Sequence, residues 1–147
     1  MRALRIDPNM SVTDIDLPAG VAQHARIRDL VGGPGSVDIG RYHPRALLHL
    51  HGEGRAIGLK DNLVAWALAS AWRGMPLYPL HGPAVITGRS QDGGVAPLDD
   101  DLVQHAQTIA RTVRETLREW QTRRPASNQA AIGELLAYVT RDVHPIS

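Results

Sequence analysis

His49-Leu50-His51-Gly52-Glu53-Gly54-Arg55-Ala56-Ile57-Gly58-Leu59-Lys60, leading into Asp61-Asn62, is the stretch on which the fold turns. It has two readings. As chemistry, His49, His51 and Glu53 fall at alternate positions. Side chains alternate along a strand, so the two imidazoles would share one face. His51-Gly52-Glu53 has the His-x-carboxylate spacing of a facial metal triad, with a third ligand such as His81 or His144 supplied from elsewhere. As architecture, a strand ends at His51, Gly52-Glu53-Gly54 turns, and a short returning strand leads through Gly58-Leu59 into a buried helix. We favour the second reading, because it accounts for the glycines and for Asn62. Seven histidines in the chain also dilute the weight of any one pair.

Working outward, Asp61 or Asn62 is placed to cap the next helix. Leu63 to Arg73 is apolar nearly all round, which predicts a buried helix, and Gly74 is suited to end it. Upstream, Arg2 to Ile6 and Val12 to Leu17 read as a hairpin about the Asp7-Pro8-Asn9 turn. Val21 to Val31 has helical periodicity, and Gly32-Gly33-Pro34-Gly35 closes it. Val37 to Gly40, Ala46 to His51 and Pro83 to Gly88 read as further strands. Ser90 to Ala96 reads as a polar loop.

The character then changes. Asp99-Asp100-Asp101 puts acid at a helix start, where the macrodipole favours it. From there to Arg124 there is no Pro or Gly, and Leu102, Ala106, Ile109, Val113, Leu117 and Trp120 recur at three- and four-residue steps. This predicts one amphipathic helix of ~25 residues, or ~38 Å. A domain of ~100 residues has a radius of gyration near 13 Å, so the helix is expected to outrun it. Pro125-Ala126 breaks the helix. Ser127 caps a second one, with Ile132, Leu135, Leu136 and Val139 as its apolar stripe. The expected fold is α+β: a small mixed or antiparallel sheet, a buried helix and a C-terminal two-helix hairpin. The expected division is an α+β domain over 1–97 and a helical hairpin over 98–147, packed on that domain or used for dimerisation.

Composition narrows the chemistry. The 147 residues hold no Cys, which excludes disulfides, Cys-ligated zinc, iron–sulfur clusters and thiol catalysis. There is no Phe, so core volume falls to Leu, Val, Ile, Ala and three Trp. Every basic residue except Lys60 is Arg, a bias that suggests a GC-rich genome. The net charge of +1 gives no global pull toward nucleic acid. No signal peptide is read at the N-terminus and no run is long enough to span a membrane, so a cytoplasmic location is expected. Gly32-Gly33-Pro34-Gly35 lacks the pattern of a phosphate loop, no hydrolase triad is evident, and no cofactor is expected.

Several segments, taken in order, resemble a family of phages, plasmids and actinobacteria known as domain of unknown function 3846. They are Arg2-Ala3-Leu4-Arg5-Ile6-Asp7-Pro8, Val31-Gly32-Gly33, Gly52 to Leu59 with Asn62, Gly82 to Gly88, and Leu98 to Val103. Lys60-Asp61 departs from the proline common in that family, and its members vary at 49 and 51. The resemblance covers about 1–105. It implies a small α+β domain in a mobile-element context and carries over no catalytic residue.

The stripe on the long helix is the strongest lead on function. Ile109, Val113, Leu117 and Trp120 are candidates for a partner-binding face, with a helix-mediated homodimer favoured. Arg111, Arg114 and Arg118 line another face as a candidate nucleic-acid surface, interrupted by Glu115 and Glu119. His49, His51 and Glu53 are the candidate metal ligands. The expected function is non-enzymatic: an accessory or regulatory protein of a mobile element acting by protein–protein contact. The alternatives are a nucleic-acid-binding regulator and a metal-dependent enzyme.

Overall fold

Leu4, Ile86 and Leu48 stand side by side across three neighbouring strands, each almost fully buried. The computed structural model describes residues 1–144, so the last three positions of the expected helical segment lie outside the described residues. Strand β1 (Arg2–Ile6) pairs with β2 (Val12–Asp16). The turn between them closes through hydrogen bonds from Met10 N–H to the Asp7 carbonyl and from Asp7 N–H to that of Ser11. After α1 (Ala22–Leu30) come β3 (Val37–His43) and β4 (Ala46–His51). Helix α2 (Leu63–Arg73), β5 (Ala84–Arg89) and β6 (Val95–Ala96) follow, then α3 (Asp100–Glu119) and α4 (Asn128–Val143). The six strands form one antiparallel sheet in the order β2-β1-β5-β4-β3, with β6 extending from β5. The architecture is α+β with a C-terminal helix pair.

Alternation divides the sheet into two faces. Leu4, Ile6, Leu48, Ala84 and Ile86 join the main core with α2, α3 and α4. Ala3 and Val85 point the other way and pack with Leu17, Ile27, Leu30 and Val31 beneath α1. Helix α2 is buried from Val64 to Ala71. Its alanines let it lie close to the sheet, and Leu68, fully enclosed, contributes about 1.5–3 kcal/mol by burial alone. Asn62 is its N-cap, accepting from the Ala65 N–H at 3.1 Å, and Gly74 ends it in the left-handed region at φ 72°.

Three expectations need correction. No returning strand follows Gly54. Residues 52–58 are successive turns in which Ile57 N–H bonds to the Glu53 carbonyl and Leu59 N–H to that of Gly54. These local bonds use the amides that a ladder would need, and one isolated bridge, Asp61 to His81, is all that pairs nearby. The segment after Ser90 forms the short β6, which pairs with Gly88 and Arg89. Helix α3 stops at Glu119, short of Arg124, because its end tightens into i→i+3 bonds from Gln121 and Thr122 while the Thr122 hydroxyl donates to the Glu119 carbonyl. Its 20 residues span about 30 Å. It does not outrun the domain: Leu102, Val103, Ala106, Ile109, Ala110 and Val113 all lie in the core shared with α2 and the sheet.

Candidate functional site

The nominated partner-binding face divides in two. Ile109 and Val113 are completely buried inside the chain, where Leu135 and Val139 of α4 belong to the same core. They are core residues and present no surface to a second copy. The periodicity was sound; what it could not reveal was that α2 and α4 jointly cover the stripe. Leu117 and Trp120 are half-buried. Trp120 forms one wall of an open groove of about 460 Å³ between α2 and α4, together with Leu63, Trp66, Leu77, Leu80 and Ile132. Ile132 is 43% exposed at its lip.

A strap, residues 75–80 (Met75-Pro76-Leu77-Tyr78-Pro79-Leu80), runs along the groove and lends it Leu77, Pro79 and Leu80. Leu77 is tied at both of its backbone polar groups. Its N–H donates to the Ser70 hydroxyl at 3.2 Å, and its carbonyl accepts from the Trp66 indole at 2.7 Å. Ser70 is otherwise enclosed in α2, so the bond also explains why a serine is tolerated there.

The proposed metal ligands do not converge. His49 and His51 do share a face, but each is already engaged. His49 is 2% exposed, with Nε2 2.9 Å from the Thr87 hydroxyl. Burial, with His24 adding to it, pushes its pKa down to about 4, so it is neutral at ordinary pH. His51 Nδ1 accepts from the Glu53 N–H at 2.9 Å, and Nε2 lies 2.9 Å from the Pro34 carbonyl. An amide on one nitrogen and a carbonyl on the other require the Nε2–H tautomer and leave no lone pair for a metal. The Glu53 side chain is exposed on the turn. His81, a possible third ligand, pairs with Asp61 through Nδ1 at 2.9 Å. Among the described residues no group of three His, Cys, Asp or Glu side chains could hold a metal ion. The same contacts account for Gly32-Gly33-Pro34-Gly35: it lies against the His51 ring, and Gly35 adopts φ 125°, where a Cβ would be strained and only 3.1 Å from that ring.

Arg111, Arg114 and Arg118 are all exposed. The Arg114 guanidinium donates to the Met10 carbonyl at 3.0 Å, fixing it against the β1–β2 turn. Glu119 pairs with Arg123 at 3.3 Å as its spacing suggests, and Arg123 also reaches Glu134 on α4. The aspartates at the start of α3 already have cationic partners. Arg45 holds Asp99 at 2.7 Å and Asp101 at 2.6 Å, and Arg2 reaches Asp100. Arg45 holds the Asp101 carboxyl below the usual carboxylate range.

A second cleft of about 460 Å³ lies on the other side of the strap, and sequence reasoning missed it. Asp38 and Tyr42 from β3, Leu50 from β4, and Tyr78, Leu80 and His81 from the strap and its end line it. Burial, with the neighbouring Tyr78 phenol, pushes Tyr42 up to about 12. A Cβ on Gly40 would collide with the Tyr42 ring, so glycine there lets the ring lie over its own strand. The two prolines around Leu77-Tyr78 were a usable signal: an apolar run so punctuated is neither helix nor central strand.

No protein-family model, curated protein or solved structure matches the chain. No helix among the described residues is long and apolar enough to cross a membrane.

Proposed function

We propose that this is a non-enzymatic accessory or regulatory protein of a mobile genetic element, acting in the cytoplasm by binding another protein. The observation that carries the reading is the open groove between α2 and α4. It is apolar, walled by Trp66 and Trp120, and lined by a strap that is fixed before any partner arrives. Tryptophan in such a recess is a common energetic anchor of protein interfaces. A preformed groove also spares the partner the cost of ordering it. The mobile-element setting rests on the family resemblance of residues 1–105.

The test is capture of partners from the native host on the immobilised full chain, compared with Ile132→Glu and Arg118→Glu. A partner kept by Arg118→Glu and lost by Ile132→Glu supports the reading. A partner indifferent to Ile132→Glu, or no partner at all, overturns it.

A second reading has one observation behind it. Arg111 and Arg118 are exposed and make no ion pair among the described residues, so their charge is available to phosphates. A nucleic-acid-binding regulator predicts a salt-dependent mobility shift with DNA or RNA that Arg111→Glu with Arg118→Glu abolishes. Binding unmoved by that pair, or no shift at low salt, removes this reading.

A further inference from the structure

We infer that the cleft between β3 and the strap seats the guanidinium of an arginine side chain carried by a partner protein. This rests on the protein-binding reading above.

Asp38 brings an exposed carboxylate that makes no ion pair among the described residues. His81 also lines the cleft. Its Nδ1 lies 2.9 Å from an Asp61 carboxylate oxygen. Tyr42 and Tyr78 bring two electron-rich rings, and Tyr78 is 69% exposed. Leu50 and Leu80 form an apolar base.

A free carboxylate beside two tyrosine side chains calls for a donor-rich cation. A guanidinium is planar, carries five N–H donors, stacks on aromatic faces and sheds water more readily than an ammonium. A lysine ammonium offers a more strongly hydrated point charge in place of a stacking plane. A neutral amide would leave the Asp38 charge unanswered. Arg55 at the rim and Arg73 near Tyr42 oppose any cation. Affinity therefore depends on close contact with Asp38 and the rings, and a lone side chain binds weakly.

The experiment uses the full chain and N-acetyl-arginine amide as probe, followed by NMR of the tyrosine rings. N-acetyl-lysine amide and N-acetyl-citrulline amide, the latter a neutral isostere, serve as comparisons. We expect the arginine probe to move Tyr42 and Tyr78 along a saturable curve, with the citrulline probe at least about tenfold weaker because the charge-assisted bond is lost. Asp38→Asn should weaken the arginine probe by about tenfold, with an unchanged melting temperature confirming that the variant folds. No saturable response, equal response to the neutral isostere, indifference to Asp38→Asn, or shifts confined to Tyr138 on α4 would each overturn the inference. Failure here is separable from failure of the groove, since Ile132 and Asp38 lie on opposite sides of the strap. An Ile132-dependent partner can stand without the cleft, and arginine binding can stand without that partner.

Discussion

The Asn62 side-chain amide donates a 2.9 Å hydrogen bond to the carbonyl of Ile6, fifty-six residues earlier in the chain. The same nitrogen donates to the Gly82 carbonyl at 2.9 Å, while the oxygen caps α2. One buried side chain therefore fixes the start of the core helix against the end of β1 and the approach to β5. Asn62→Ala should lower stability by about 3 kcal/mol, the sum of a lost cap and two stranded carbonyls. Asn62→Asp keeps the capping oxygen but aims a carboxylate at both carbonyls. It should be at least as damaging at neutral pH and should recover partly when acidified. Urea denaturation of the two variants at pH 7 and pH 5 measures this; an Asp variant more stable than the Ala variant at pH 7 would refute it.

His49 gives the fold a defined acid sensitivity. An unfolded histidine takes its proton near pH 6.5, whereas buried His49 refuses it until about pH 4. Above 6.5 both states are neutral and the full stability is present. As pH falls from 6.5 toward 4, only the unfolded chain gains the proton, and stability is lost. The loss across that window is about 3 kcal/mol for this one group. His43 and His105, also lowered by burial, act in the same direction. Denaturation midpoints at pH 7.5 and 4.5 should fall accordingly. The double variant His49→Leu with Thr87→Val, which removes both hydrogen-bonding partners, should show a visibly flatter slope. An unchanged slope would assign the acid sensitivity to other groups.

How much of this was legible depended on how local the cause was. Helix α2 could be read from its own residues, because Asn62, Gly74 and an uninterrupted apolar run are local signals. The stripe of α3 was legible as a stripe, but its cover comes from α2 and α4, which no periodicity within α3 encodes. His49 was misread because β4 lies inside the sheet with both faces covered. Alternating Leu and His placed the two imidazoles on one face, but did not reveal that His49 is sealed there with Nε2 on the Thr87 hydroxyl. The cleft was illegible for a similar reason: Asp38, Tyr42, Leu50, Tyr78 and His81 meet only once β3, β4 and the strap are assembled.

Divalent metals offer a direct check on that misreading. With both His51 nitrogens hydrogen-bonded and the His49 ring sealed against Thr87, coordination would require opening the β4–β5 layer. Isothermal titration with zinc, iron or nickel should show no saturable binding that His51→Gln removes. A binding isotherm lost in that variant would restore the metal reading of the segment.

Two glycines should respond in opposite ways to the same substitution. A Cβ on Gly88 would collide with the Pro97 carbonyl, which is backbone and cannot rotate away. Gly88→Ala should therefore force β5 and the chain after β6 apart, costing about 1–3 kcal/mol or more. Gly133 lies inside α4 with nothing within 4 Å of a Cβ, so the added methyl meets open space. It also removes the backbone freedom that makes glycine a poor helix residue, so Gly133→Ala should stabilise by about 0.5–1 kcal/mol. Thermal unfolding of both variants beside the parent decides the matter. The packing described for β5 and α4 requires a lower melting temperature for the first and a higher one for the second.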